Sequence, residues 1–192
     1  MNRNVILAGV GGQGLLALAA VIGEAARALD LDVKQAEVHG MAQRGGVVQS
    51  HLRYADRPLH SNLVRRGEAD LILALEPMEA LRYIPYLAPT GAVVSDTAPL
   101  VNIPNYPEEG DVLGAIEKLT THRLVDAVGL AKKAGALQAA NMVMLGAGSP
   151  FLGLPEESLI GAIESFFADK GSSIVETNVR AFRLGLAAVG TG

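Results

Sequence analysis

Cysteine is missing from this chain altogether. Its absence excludes thiolate-held iron–sulfur clusters, cysteine zinc sites, a cysteine nucleophile and internal disulfides. Histidine is scarce, with only His39, His51, His60 and His122. No two of them have the i, i+4 spacing of a helical zinc site, so each reads as a surface or hydrogen-bonded residue. There is no G-x-S-x-G elbow and no G-x-x-x-x-G-K-[ST], so neither a serine hydrolase nor a P-loop has a case. Gly110-Asp111 is followed by Val112, so the Gly-Asp-Gly that opens a thiamine-diphosphate signature is missing too. Positive charge is also in short supply. Sixteen Lys and Arg against 20 Asp and Glu give a net charge of −4, the wrong sign for a non-specific nucleic-acid footprint.

A long apolar run without interruption is likewise absent. Asn4 to Gly23 carries no charge, Arg3 precedes it, and Ala17-Leu18-Ala19 has the look of a signal-peptide cleavage site. Four glycines between Gly9 and Gly14 break the would-be apolar helix, however, and cleavage would discard the chain's only phosphate loop. The expectation is therefore a cytoplasmic protein with no membrane segment and no nucleic-acid partner.

What remains is one domain's worth of chain, 192 residues with 49% hydrophobics and 22 glycines. Ordinary usage is about 45–50% apolar with glycine already counted. Much of the excess is Ala and Gly, which means close backbone packing, and the rest points to a subunit that buries surface against a partner. The chain is organised around its start: the apolar strand Val5–Ala8, the turn Gly9-Val10-Gly11-Gly12-Gln13-Gly14, and an apolar helix from Leu15 to about Ala28. Gly9, Gly11 and Gly14 fit G-x-G-x-x-G, which lets a phosphate approach the backbone N–H groups and positive dipole at a helix N-terminus. Glycines in such a turn also serve tight packing with nothing bound, and both readings stand.

Val33–Val38 reads as a second strand, making a βαβ unit from Val5 to Val38. Glu37, 23 residues past Gly14, is a late candidate for the ribose-binding acid of a dinucleotide fold, expected about 20 residues on. An exposed strand-end carboxylate is the other reading. Val47–Tyr54 alternates, with Val48, Leu52 and Tyr54 on one face and Gln49, His51 and Arg53 on a wet one, as in an antiparallel or edge strand. Apolar strands follow at Asp70–Leu75 and Ala92–Ser95, ending near Glu76 and Asp96, with a shorter one at Arg123–Val125. Helices are predicted from Pro77 towards Tyr83, over Asp111–Leu119, Ala127–Ala134 and Gln138–Ala147, from Pro155, and over about Glu176–Val189. Pro150 and Gly153 read as breaks. The fold class is α/β, an open Rossmann-like three-layer sandwich with a mostly parallel sheet and an antiparallel edge strand. The last helices either cap it or dock onto a partner.

His39-Gly40-Met41-Ala42-Gln43-Arg44-Gly45-Gly46 is the most unusual stretch. Arg44, beside Gln43 and Gly45, is either a forked cation for an anion or the partner of a nearby carboxylate. Following the second strand, the loop is placed at the same carboxyl edge as the glycine turn.

Together, Leu7–Gly14 and Glu37–Gly46 resemble the gamma subunit or domain of 2-oxoacid:ferredoxin oxidoreductases. The His-Gly-Met-Ala-Gln-Arg-Gly-Gly form is most similar to the beta subunit of the indolepyruvate enzymes. Glu76-Pro77-Met78-Glu79-Ala80-Leu81, Asn141–Gly146 and Asn178 with Ala181 and Gly185 match the same family, so the resemblance covers nearly the whole chain. It implies an accessory subunit, inactive alone, in a hetero-oligomer. Thiamine diphosphate and 4Fe–4S clusters belong to a large partner subunit, ferredoxin takes the electrons, and this chain is on the coenzyme A side of acyl-CoA formation. Gly9, Gly11, Gly12, Gln13, Gly14, Gln43, Arg44 and Gly45 are the implied binding residues. A stand-alone NAD(P)-binding dehydrogenase and a structural or regulatory subunit with an empty turn are the alternatives.

Overall fold

The computed structural model describes residues 1–39, 46–101 and 103–190. Gln43, Arg44 and Gly45 lie outside the described residues. The elements run β1 (Asn2–Val10), α1 (Leu15–Arg27), β2 (Asp32–His39), β3 (Val47–Ala55), β4 (Ala69–Ala74), α2 (Pro77–Arg82), β5 (Leu87–Asp96), α3 (Glu109–Glu117), β6 (His122–Val125), α4 (Ala127–Ala134), α5 (Ala140–Leu152), α6 (Glu156–Phe167) and α7 (Ser172–Val189). The predicted elements are all present, with ends displaced by a few residues.

The strands form a six-stranded sheet in the order β2-β3-β1-β4-β5-β6. Pairings from β1 through β6 are parallel, while β3 is antiparallel to both β1 and β2. The sheet is thus mostly parallel with antiparallel pairing at one edge. The first βαβ unit has a different form from the predicted one. β2 runs alongside β1 in direction but does not pair with it, because β3 is inserted between them. β2 is the rim strand, and β3 is one place in from it.

Inward-facing residues alternate along each strand, as the pleat requires. Val5, Leu7, Leu71, Leu73 and Val94 face a large core closed by α1, α4, α5, α6 and α7. Ile6, Ala8, Ile72, Ala74 and Val93 face a smaller one with Ala80 of α2 and Ile116 of α3. Three layers result. The expected wet face of β3 is drier than its sequence implied. His51 is only 3% exposed, its Nδ1 accepts the Val64 N–H at 3.1 Å, and its ring meets Tyr86 edge-on. The chain returning between β3 and β4 covers that face, which local alternation cannot foretell.

Helix α5 explains the fate of the last helices: they cap the sheet. Every residue from Asn141 to Ser149 is buried, so the helix is apolar all round, as expected of one enclosed in a core. Gly146 and Gly185 let α5 and α7 touch backbone to backbone. A Cβ on Gly146 would overlap the Phe182 carbonyl, and one on Gly185 the Val143 carbonyl. Pro150 lies inside α5, not at a break. Proline has no N–H for the carbonyl four residues back. The Ser149 hydroxyl donates to that carbonyl, Gly146 O, at 2.8 Å, and the helix continues to Leu152.

Candidate functional site

The carboxyl end of β1 opens into the glycine turn, and each glycine there has its own cause. A Cβ on Gly9 would stand 2.9 Å from Gln13 Oε1 and 3.3 Å from Leu75 Cβ, so Gly9 makes room for the turn's own packing. Gly14 has φ +84°, and its Cβ would stand 2.5 Å from Asn141 Nδ2. Gly12 has φ +106° with nothing within 4 Å of a would-be Cβ. Glycine is required at Gly12 by backbone conformation, and the space beside it is open.

Gln13 braces the turn. Its Oε1 accepts the Val10 N–H at 2.7 Å and its Nε2 donates to Leu75 O at 2.8 Å, tying the end of β1 to the end of β4. Asn141 Nδ2 donates to Gly14 O at 3.2 Å, fixing the same turn from α5. Gly11 N–H donates to Gly46 O at 2.8 Å. The far end of the 39–46 stretch is therefore fastened to the glycine turn, while its near end continues from β2 at the same sheet edge.

Helix α1 begins at this point without a cap. Gly14 offers no side chain to its first N–H groups, and the first turn holds no acidic residue. Those N–H groups lack intrahelical acceptors and carry the positive end of the helix dipole. They suit an anion, and the open flank of Gly12 gives it access. A cavity of about 440 Å³ adjoins, lined by Val10, Gly11, Gly12, Gly14, Leu15, Leu16, Glu37 and Val48. Leu16 on its lining is 60% exposed, and Val38 and Val47, at 50% and 37%, are exposed on the opposite face of the sheet from Glu37 and Val48.

Glu37 lines this cavity, but in a different place from a ribose-binding acid. That acid belongs to the strand beside β1 in a dinucleotide fold. Here β3 intervenes, and β2 is two strand spacings away, roughly 10 Å. The stand-alone dehydrogenase reading loses its acid.

On the other side, between the ends of β1 and β4, a second crevice of about 280 Å³ is lined by Gly12, Gln13, Gly14, Leu75, Asp96, Val128, Leu137, Gln138, Ala140 and Asn141. Asp96, closing β5, is 5% exposed, and its Oδ1 accepts the N–H groups of Ala98 and Ala127 at 3.2 Å each. Burial pushes its carboxyl up to about 6, against the pull of those backbone donors. Next to it, Glu76 caps α2 by accepting the Glu79 N–H at 2.8 Å, and also takes the Leu100 N–H and the Tyr106 hydroxyl. It holds down the proline-bearing connection after β5.

Sequence reasoning placed Asp96 and Glu76 at strand ends but gave neither a role. The signal was an acidic residue closing a buried strand, and its meaning depends on strand order. Among the described residues no three His, Asp or Glu side chains converge as a metal site, and no helix is long and apolar enough to cross a membrane.

The geometry has counterparts. A family model described as pyruvate ferredoxin/flavodoxin oxidoreductase matches residues 4–188. The indolepyruvate oxidoreductase subunit IorB of Methanothermobacter thermautotrophicus is 38% identical over 98% of both chains. Among solved structures, the gamma subunit of a keto/oxoacid ferredoxin oxidoreductase from Geobacter sulfurreducens superposes with a TM-score of 0.71 at 25% identity, covering 97% of this chain and 98% of that one. The 2-oxoglutarate:ferredoxin oxidoreductase of Magnetococcus marinus, solved with 2-oxoglutarate, coenzyme A and succinyl-CoA bound, gives 0.78 at 22% identity. That likeness covers 98% of this chain but only 31% of the larger one, and it speaks for the fold. Matched from residue 4 to residue 188 and more than a third identical to a subunit of the same length, the chain belongs to the pyruvate ferredoxin/flavodoxin oxidoreductase family.

Proposed function

We propose that this chain is the small accessory subunit of an indolepyruvate-type 2-oxoacid:ferredoxin oxidoreductase in the cytoplasm. It handles coenzyme A while a large partner subunit carries thiamine diphosphate and 4Fe–4S clusters and passes electrons to ferredoxin. The observation that carries the reading is the uncapped start of α1 beside the open flank of Gly12, in a chain aligned end to end with an indolepyruvate oxidoreductase subunit. Gly11, Gly12 and the first-turn N–H groups of α1 receive a phosphate of the coenzyme. Gly9, Gln13 and Gly14 give the turn its shape. Gln43, Arg44 and Gly45 supply a forked cation and an amide from the neighbouring stretch. Leu16, exposed on the lining of the cavity beside the turn, suits a surface that a partner covers.

The absence of cysteine agrees with a division of labour in which the clusters are elsewhere. Co-expression of the chain with its genomic neighbour, followed by affinity purification, tests the reading. A large cysteine-rich subunit is expected to come with it, and the pair should reduce a viologen dye with an arylpyruvate and CoA. The chain alone should show no such activity. Dye reduction by the chain alone, or tight NADH binding that CoA leaves unaffected, would overturn the proposal.

A further inference from the structure

The proline-bearing connection from Thr97 to Glu108 leaves the carboxyl end of β5 and crosses to the end of β4 before it enters α3. Two of its groups are tied to one carboxylate oxygen there. The Leu100 N–H and the Tyr106 hydroxyl both donate to Glu76 Oε1. Glu76 Oε2 takes the Glu79 N–H, so the residue that caps α2 also anchors the connection. Nearer β5, the Thr97 N–H donates to Val125 O at 3.0 Å and the Ala98 N–H to Asp96.

Glu79 follows one helical turn on and is 2% exposed. Its Oε1 accepts from Arg82 Nε at 3.0 Å. Its Oε2 is buried and has no hydrogen-bond partner among the described residues. Two carboxylates thus share the dry first turn of α2, and one buried oxygen has no donor. A charge buried without donors is expensive, and a proton on Glu79 removes it. Burial holds the Glu79 carboxyl above its ordinary value of 4.5, Arg82 opposes this, and Glu76 adds to it. Arg82 is half-exposed, so water screens its pull. Tyr83, past the helix end and next to Tyr86, and Tyr106 on the connection are the other titratable groups that Glu79 touches electrostatically. The elements packed against α2 share an apolar core with its Ala80, through Ile6 and Ala8 of β1, Ala74 of β4, Val93 of β5 and Ile116 of α3. The charged residues of α3 are exposed.

We propose that Glu79 is a proton-controlled latch on this connection. With a proton on Glu79, the turn carries one negative charge fewer, and Glu76 keeps Leu100 and Tyr106. When the proton leaves, a buried charge stands beside Glu76 with no donor on Oε2, and water has to enter the turn to hydrate it. The Leu100 and Tyr106 contacts then compete with water for Glu76, and the connection loosens from the carboxyl edge. The closed latch binds the proton more tightly than the open one. Closure is therefore complete below pH 4.5 and weakens as pH rises above it.

Hydrogen exchange of the whole chain, read by mass spectrometry and corrected for the intrinsic pH dependence, measures the opening. Peptides around Tyr106, whose N–H donates to Ile103 O, give the readout. Their opening should become more frequent above pH 4.5, by up to about tenfold per pH unit, and level off once Glu79 of the closed state has itself ionised. Glu79→Gln, which carries no charge at any of these pH values, should give a flat and low profile. Tyr106→Phe should open the connection at every pH. Asp96 titrates at about 6 and accepts the Ala98 N–H, which makes it the competing group. Asp96→Asn should leave the slope around Tyr106 in place. Protection of β1 peptides checks that each variant is folded. A flat wild-type profile, a slope that survives Glu79→Gln or disappears in Asp96→Asn, or an equal slope in the β1 peptides would overturn the latch.

Discussion

Asn141 reaches across 127 positions of sequence to Gly14: its Nδ2 donates to the Gly14 carbonyl at 3.2 Å. Its Oδ1 accepts the Met142 N–H at 2.9 Å, so the side-chain amide couples the start of the buried helix α5 to the start of α1. The pair also accounts for Gly14, whose missing Cβ leaves room for the amide. Asn141→Ala should destabilise the fold by about 0.5–1.5 kcal/mol, because it removes a part-buried hydrogen bond to a carbonyl that keeps the Leu18 N–H. Urea denaturation measures this. Gly14→Ala should cost at least as much, since it combines a left-handed φ with a clash against the same amide.

The glycine pair between α5 and α7 sets the largest expected stability effect. Gly146→Ala or Gly185→Ala forces a methyl group into a carbonyl of the facing helix. Overpacking costs about 1–3 kcal/mol where side chains give way, and more where backbone must move. Each variant should lose at least about 3 kcal/mol or fail to accumulate as folded protein. Gly161→Ala, where no atom lies within 4 Å of the added Cβ, should be neutral or slightly stabilising. Circular-dichroism melting of the three distinguishes contact from composition.

Asp96 gives a pH signature. Its carboxyl titrates at about 6 in the folded chain, above its ordinary value of 3.8, because burial disfavours the charge. The folded state therefore holds the proton more tightly than the unfolded one. The associated stability is complete below about pH 4 and disappears as pH rises through about 6. A carboxyl raised this far is worth about 3 kcal/mol across that window. Asp96→Asn, which keeps the acceptor for Ala98 and Ala127 N–H, should raise stability by about 1–3 kcal/mol at about pH 7.5 and by little at about pH 4. Denaturant midpoints at the two pH values test this. An equal effect at both would show that the carboxyl titrates normally.

Arg44→Ala is expected to leave the melting temperature nearly unchanged, because its proposed role is toward a ligand or a partner and not toward this domain's own stability. In the assembled enzyme it should lower CoA-dependent turnover about tenfold or more, the loss of one charge-assisted hydrogen bond of about 1.5–3 kcal/mol. Arg44→Lys should rescue only part of it, keeping the charge without the fork. A raised KM for CoA with intact assembly on gel filtration means a ligand role, and loss of the partner subunit means an interface role. Wild-type turnover and assembly in Arg44→Ala would rule out both.

Local order was legible in the sequence because its causes are local. A run of β-branched and aliphatic residues, a proline at the first position of α2 behind Glu76, and Gly135 ending α4 in the left-handed conformation are each decided within a few residues. The glycine turn and the α/β class followed from such signals, and so did the antiparallel direction of β3. Strand order did not, because it depends on which apolar faces find each other at long range. That is why β3 came to be placed between β1 and β2, stranding Glu37 at the rim, and why His51 came to be buried. Pro150 stays in a helix through a local device, its neighbour Ser149 supplying the donor that proline lacks, while the burial of that helix is long-range packing. The same packing brought Asn141, Leu75 and Asp96 around a turn that lies far from all of them in the chain. The sequence by itself determined that a glycine turn joins an apolar strand to the start of an apolar helix, through residues that are near neighbours of one another. Only the tertiary structure decided what surrounds it, because a crevice is made of surfaces that meet in space and leave no pattern along the chain.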